Sequence, residues 1–237
     1  MDFSHEELIE TVERFVAGLI ERAVSRPPVN ALVLAEEHLG IPVRVVNPDP
    51  EDDGRTRRRR DAGVGITLTS DMGPEARQRA AADGVARFLL PEICAKLNVQ
   101  LGPDTKQFAA HLRGLVAPRV LVPTKLLRAA LKEHKYDVPA LHATFATATM
   151  EAVALRLLDF DTPCAITVVD DGVVAVRRAN RFAVTKKLED AEQECVDQVT
   201  RLDLPHRARK GEWTAWGWPV PERPFRRILI RSVRDDV

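Results

Sequence analysis

Nowhere does this chain run apolar for the roughly 20 residues that a membrane-spanning helix needs, so no membrane partner is expected. Its first residues are acidic rather than signal-like, and a cytoplasmic location is expected. Cysteine is scarce: Cys94, Cys164 and Cys195 are odd in number and lack C-x-x-C spacing. Neither a disulfide framework nor a zinc knuckle is indicated, and buried free thiols are the expectation. The nucleophile elbow G-x-S-x-G, the P-loop and the dinucleotide-binding glycine pattern are all missing. Six histidines stand at 5, 38, 111, 134, 142 and 206, none of them four residues from another. Helical faces therefore offer no pair of imidazoles to a metal. Cys164 has no histidine beside it in sequence, so a thiol nucleophile is unsupported.

What is present is the composition of a soluble globular protein, 45% hydrophobic and 30% charged. A chain of 237 residues can bury a substantial core in one large domain or a few small ones. The zero net charge hides an asymmetry. Residues 1–53 hold twelve Asp/Glu against four Lys/Arg, and residues 201–237 hold nine Lys/Arg against five Asp/Glu. Between them the run Arg57, Arg58, Arg59, Arg60 follows an acidic stretch. Such a run can meet phosphate backbone, although its acidic neighbours cancel part of the field and a solvated loop is the plainer expectation.

The pattern predicts an α+β fold in three parts, with domains over 1–123, 124–160 and 161–237. Leu8, Val12, Phe15, Leu19 and Ala23 repeat at helical spacing over Glu6–Ala23. Strands at Val43–Val46 and Gly65–Leu68 are expected to pair beneath a helix over Glu75–Leu90, which Pro91 would close. Ala82, Val85, Ala86 and Leu89 make a core stripe on that helix. The middle part is helical, with Thr124, Asp137 and Thr149 as expected caps. Its third helix, Met150–Leu158, carries a single candidate base-reading residue, Arg156, and so suits packing better than DNA reading. In the last part, Ala165–Val169 and Val173–Arg177 flank Asp170–Asp171–Gly172, a type I′ hairpin signal. A helix over Leu188–Val199, a basic turn at Arg207–Lys210 and strands at Trp213–Trp218 and Phe225–Ser232 complete the reading. Trp213, Trp216 and Trp218 are expected to cap the core rather than to stack on a planar ligand.

Several segments resemble the ImmA/IrrE family of zinc metallopeptidase-like regulators. Val29–Val46 is similar to the family's opening helix, Gly40 break and strand. Arg77, Gln78, Arg79 and the tail Leu89–Leu90 match parts of its R-Q-R-x-x-x-A-H-E-x-G-H-L-L-L segment. Ala117–Pro123 looks like its A-x-x-L-L-M-P ending. The resemblance implies a small metallopeptidase-like domain, a central helix-turn-helix-like module and a C-terminal α/β domain, here a reduced GAF-like one. It also shows what is missing. Gly84 and Phe88 stand where the zinc-binding histidines would be, and Val85 replaces the water-activating glutamate. Leu112 stands where the third ligand is counted back from Pro123, and no Asp or Glu lies between Lys106 and Leu121. An H-E-x-x-H helix binds zinc and its glutamate acts as general base; glycine, phenylalanine, valine and leucine do neither.

The resemblance thus implies a catalytically inactive regulator, with no catalytic residue and no bound metal or cofactor expected, although active relatives hold zinc. Its partner would be a protein, of the helix-turn-helix repressor class that ImmA/IrrE proteins act on in stress response or mobile-element control. The partner groove is expected beside Gly84, Val85, Phe88 and Leu112. One alternative is a metallopeptidase with a relocated metal site, using Asp83 and His111, that cleaves such a repressor. Another is a DNA-binding regulator using Arg57–Arg60 and Arg156.

Overall fold

The architecture is a mixed α+β one, seen in a computed structural model that describes residues 3–47, 65–221 and 225–235. The Arg57–Arg60 run lies outside the described residues. The chain divides into two compact units. The first holds residues up to 135 together with 140–149, and the second holds 136–139 together with residues from 150 onward.

In the first unit, α1 (His5–Ala23) buries Leu8, Val12, Val16, Leu19 and Ile20. Phe15 is only half-buried, so the stripe runs one residue beside its expected line. A capping box starts the helix: the Glu7 amide donates to Ser4 Oγ and the Ser4 amide to Glu7 Oε2. Asn30 caps the short α2 (Ala31–Val33). A π-helical turn over Leu34–His38 continues it, and Gly40 turns the chain at φ +64°. Then β1 (Val43–Val46) pairs in parallel with β2 (Ile66–Thr69), whose Ile66 and Leu68 are buried. The helix α3 (Pro74–Lys96) packs on β2 and along α4 (Lys106–Leu121), and α1 packs on both helices.

Two helix ends differ from the expectation. Pro91 does not close α3, which runs on to Lys96. A proline costs one backbone hydrogen bond, but Ile93 and Cys94 beyond it are buried in the core and hold the last turns in place. The actual stop is Asn98, left-handed at φ 54°, with the Val99 amide donating back to the Cys94 carbonyl. Likewise Thr124 is the first residue of α5 (Thr124–His134), and Pro123 occupies the cap position.

The helices α6 (Val138–Thr144) and α7 (Met150–Arg156) follow. The second unit is built on a five-stranded antiparallel sheet, ordered β4-β3-β7-β6-β5. Its strands are β3 (Ala165–Asp170), β4 (Val173–Ala179), β5 (His206–Lys210), β6 (Trp213–Val220) and β7 (Arg227–Arg234). Asp171 and Gly172, at φ 48° and 81°, make the β3–β4 turn, as a type I′ hairpin requires. The helix α8 (Asp190–Leu202) covers one face of the sheet. Ala191, Cys195, Val196 and Val199 pack there on Val169, Ala208, Ala215, Ile228 and Ile230. The expected basic turn at Arg207–Lys210 is instead the edge strand β5: Ala208 is buried between exposed Arg207 and Arg209, the period-two pattern of a strand.

The buried carboxylate of Glu192 is fully satisfied between α8 and this sheet. It accepts hydrogen bonds from Ser232 Oγ at 2.7 Å, Thr167 Oγ1 at 3.3 Å, the Glu189 amide at 2.9 Å and Arg177 Nη2 at 2.7 Å. Arg177 also donates to the Thr185 and Lys187 carbonyls, which ties the loop before α8 to the same point.

Candidate functional site

The positions where the resemblance places the zinc ligands and the general base fall on α3 and α4, and the sequence around them explains their placement. Arg77 donates from Nε to the Met72 carbonyl and from Nη2 to the Ser70 carbonyl, clamping the turn from β2 into α3. Gln78 accepts from the Ala31 amide at 2.7 Å and donates to Asn30 Oδ1 at 3.0 Å. The landmark pair is thus a structural staple that fixes α2 and β2 against the first turns of α3.

Further along α3 the helix comes so close to β2 that any side chain at position 84 would force Ile66 to shift. A Cβ on Gly84 would lie well inside contact distance of Ile66 Cγ1 and Cδ1. Val85, on the adjacent position, and Leu112 of α4 are fully buried. Of the four positions expected to line a groove, three are sealed in the core, and only the half-buried Phe88 reaches the surface. Whatever binds at this place meets Phe88 and its exposed neighbours, not a cleft lined by all four. Zinc does not fit here. Glycine has no donor atom, the phenylalanine ring and the valine and leucine side chains offer no lone pair, and a histidine at 84 would collide with Ile66.

The other candidate donors are scattered. Asp83 is ion-paired with Arg87 at 2.6 Å on the outer side of α3. His111 is exposed, with its ring centroid 6.3 Å from that of His5. Among the described residues no group of three or more His, Cys, Asp or Glu side chains is placed to hold one metal ion. Arg156, a candidate nucleic-acid contact in the sequence, is buried in the second unit and ion-paired with Asp159. The three cysteines are free and buried, and burial pushes each thiol above its ordinary value, Cys195 to about 11.

Periodicity did not announce a second feature of the first unit. A cavity of about 320 Å³ opens between the second half of α1 and the start of α5, with Val16, Ile20, Val24 and Leu126 among its walls. At its rim Glu13 accepts from Arg119 Nε at 2.8 Å and from Thr124 Oγ1 at 2.5 Å, while Lys125 pairs with Glu21 at 2.9 Å. Burial pulls the Arg119 guanidinium below its usual range and Glu13 draws it back in part; it stays charged. Apolar walls with already paired charges at the rim suit a hydrophobic group rather than proton or metal chemistry. The only sequence signal was the helical stripe on α1, whose partner elements lie more than a hundred residues away.

No family model matches the chain, and no curated protein matches its sequence. Among solved structures it is similar to a Mycobacterium tuberculosis transcriptional regulator, with a TM-score of 0.69 and 17% identity, over 97% of this chain and 76% of that one. At that identity the likeness shows a shared fold, one that a transcriptional regulator uses.

Proposed function

We propose that this chain is a non-catalytic regulatory protein, a degenerate ImmA/IrrE-like scaffold that works by binding a partner protein. The observation that carries the reading is the packing of Gly84 directly on Ile66, with Val85 and Leu112 buried beside it. Of the four positions where the resemblance places two histidines and two glutamates, this chain gives three over to core contacts. A regulatory role is supported by the fold shared with a transcriptional regulator. The partner class, by resemblance, is a helix-turn-helix repressor in stress response or mobile-element control. Its contact would centre on Phe88, since that is the position of the four that is not sealed.

Two measurements test the reading. Elemental mass spectrometry on protein purified without chelator or histidine tag should find zinc far below one per chain. Zinc near stoichiometry, together with chelator-sensitive cleavage of a co-expressed repressor, would replace the proposal with the enzyme reading. In pull-downs with candidate repressors, Phe88→Asp should abolish capture while leaving the melting temperature close to wild type. Capture unchanged by that variant removes Phe88 from the contact.

A further inference from the structure

The sheet of the second unit has one face covered by α8 and a second face with a different chemistry. Strand register places Arg178 of β4, Ile166 of β3, Arg231 of β7, Trp216 of β6 and Arg207 of β5 in a single cross-sheet row. Three of these five residues are arginines, and none of the three pairs with a carboxylate among the described residues. Alternate strand positions point to opposite faces. Ser232, the residue after Arg231, bonds Glu192 of α8, so the row lies on the face away from that helix.

Arg231 is the unusual member. It is 6% exposed, its Nε has no hydrogen-bond partner among the described residues, and its guanidinium lies between two rings, 4.4 Å from Tyr136 and 5.1 Å from Trp216. Trp216 is half-buried and also carries Arg207 over its ring at 5.2 Å. The Tyr136 hydroxyl is hydrogen-bonded to Thr162 Oγ1 at 2.5 Å, which holds the first ring in place. Burial draws the guanidinium below its usual range, with Cys164 and Tyr136 acting in the opposite sense. Buried cations are ordinarily matched by an anion. Ring faces attract a guanidinium without filling its N–H donors; here Cys164 takes a hydrogen bond from the guanidinium and Nε is left over. The contrast with Arg177 on the opposite face, whose charge is matched by Glu192, is direct.

We propose that this face of the second unit is a binding site for a small organic anion, a carboxylate or phosphate ester, held by Arg231 between its aromatic walls and flanked by Arg207 and Arg178. The guanidinium presents donors in a planar fork that suits either head group. The site is independent of Phe88 and of the zinc question, so it stands or falls separately from the regulator reading.

The test uses the full chain, titrated with inorganic phosphate and, separately, with sodium benzoate. Intrinsic tryptophan fluorescence and melting temperature are read at an ionic strength kept constant with chloride. A saturable response to either anion beyond the chloride control is expected; phosphate alone marks a phosphate ester and benzoate alone a carboxylate. Arg231→Met should remove the response, and the exposed pair R207A and R178A should weaken it by roughly tenfold or more, the loss expected for charge-assisted hydrogen bonds. If Arg231→Met does not fold, the two exposed variants decide. The proposal is overturned if neither anion saturates, if R207A and R178A leave the response unchanged, or if a single-stranded oligonucleotide binds while both small anions do not.

Discussion

Replacing Gly84 with alanine sets two known effects against each other. In a helix interior, Gly→Ala is worth about 0.8–1.0 kcal/mol of stabilisation because glycine loses more backbone freedom on folding. Here, however, the new methyl would press into Ile66 Cγ1 and Cδ1 across the α3–β2 contact. Overfilling a packed core costs typically 1–3 kcal/mol. The net expectation is a destabilisation between about 0 and 2 kcal/mol, opposite in sign to propensity alone. A double-mutant cycle isolates the contact. Ile66→Ala alone should cost about 2–5 kcal/mol. With Ile66 trimmed, Gly84→Ala has space for its methyl and should become stabilising, so the two changes couple by about 1–3 kcal/mol. Urea unfolding at pH 7 followed by far-UV circular dichroism measures all four species. If Gly84→Ala in the intact background stabilises by its full helix-propensity gain, the close approach is wrong, and this helix turn does have room for a metal-binding side chain.

Three further outcomes follow from the same geometry. Arg177→Met removes the ion-pair partner of the fully buried Glu192 and should destabilise the chain by about 3–5 kcal/mol. Adding Glu192→Met should return part of that loss in the same denaturation assay, and no recovery would mean the carboxylate was not the cause. The Cys195 thiol is raised from 9.0 to about 11, chiefly by burial. Folding therefore favours its protonated form, and this contribution is complete below pH 9 and lost as pH rises from about 9 toward 11. A thiol reagent at pH 8 should label the native chain slowly and find all three cysteines only after denaturation; rapid native labelling would contradict the burial. Finally, Ser4→Ala breaks the capping box of α1 and should lower stability by about 1 kcal/mol, read as a shift in the urea midpoint at constant slope.

Local features are legible in the residues themselves. The first helix shows in the spacing of Leu8, Val12 and Leu19, the β3–β4 hairpin in Asp171–Gly172, and the β1–β2–α3 order in short apolar runs separated by turn residues. These depend on backbone conformation and periodicity within a few residues, which a single sequence carries. Pro91 misleads because a local rule about one lost hydrogen bond is outweighed by the burial of Ile93 and Cys94. The strand β5 hides for a related reason: an edge strand with a single inward residue, Ala208, has a basic composition and a weak alternation.

The candidate sites are less legible. Sequence can show that positions 84, 88 and 112 carry no zinc-binding side chain and position 85 no general base, but not that Ile66 occupies the space beside Gly84. It can count three tryptophans, but not that Trp213 packs with the α8 core and edge-on to Phe182 while Trp216 turns to the opposite face. Nor can it show that Arg177 meets Glu192, or that Arg231 lies between Tyr136 and Trp216. By itself the sequence determined most of the elements, their α+β order and the absence of metal-binding donors at positions 84, 85, 88 and 112. The tertiary structure decided which side chains share a face. Strand register and helix docking are long-range choices, and shifting a strand by one residue exchanges everything it shows to either side.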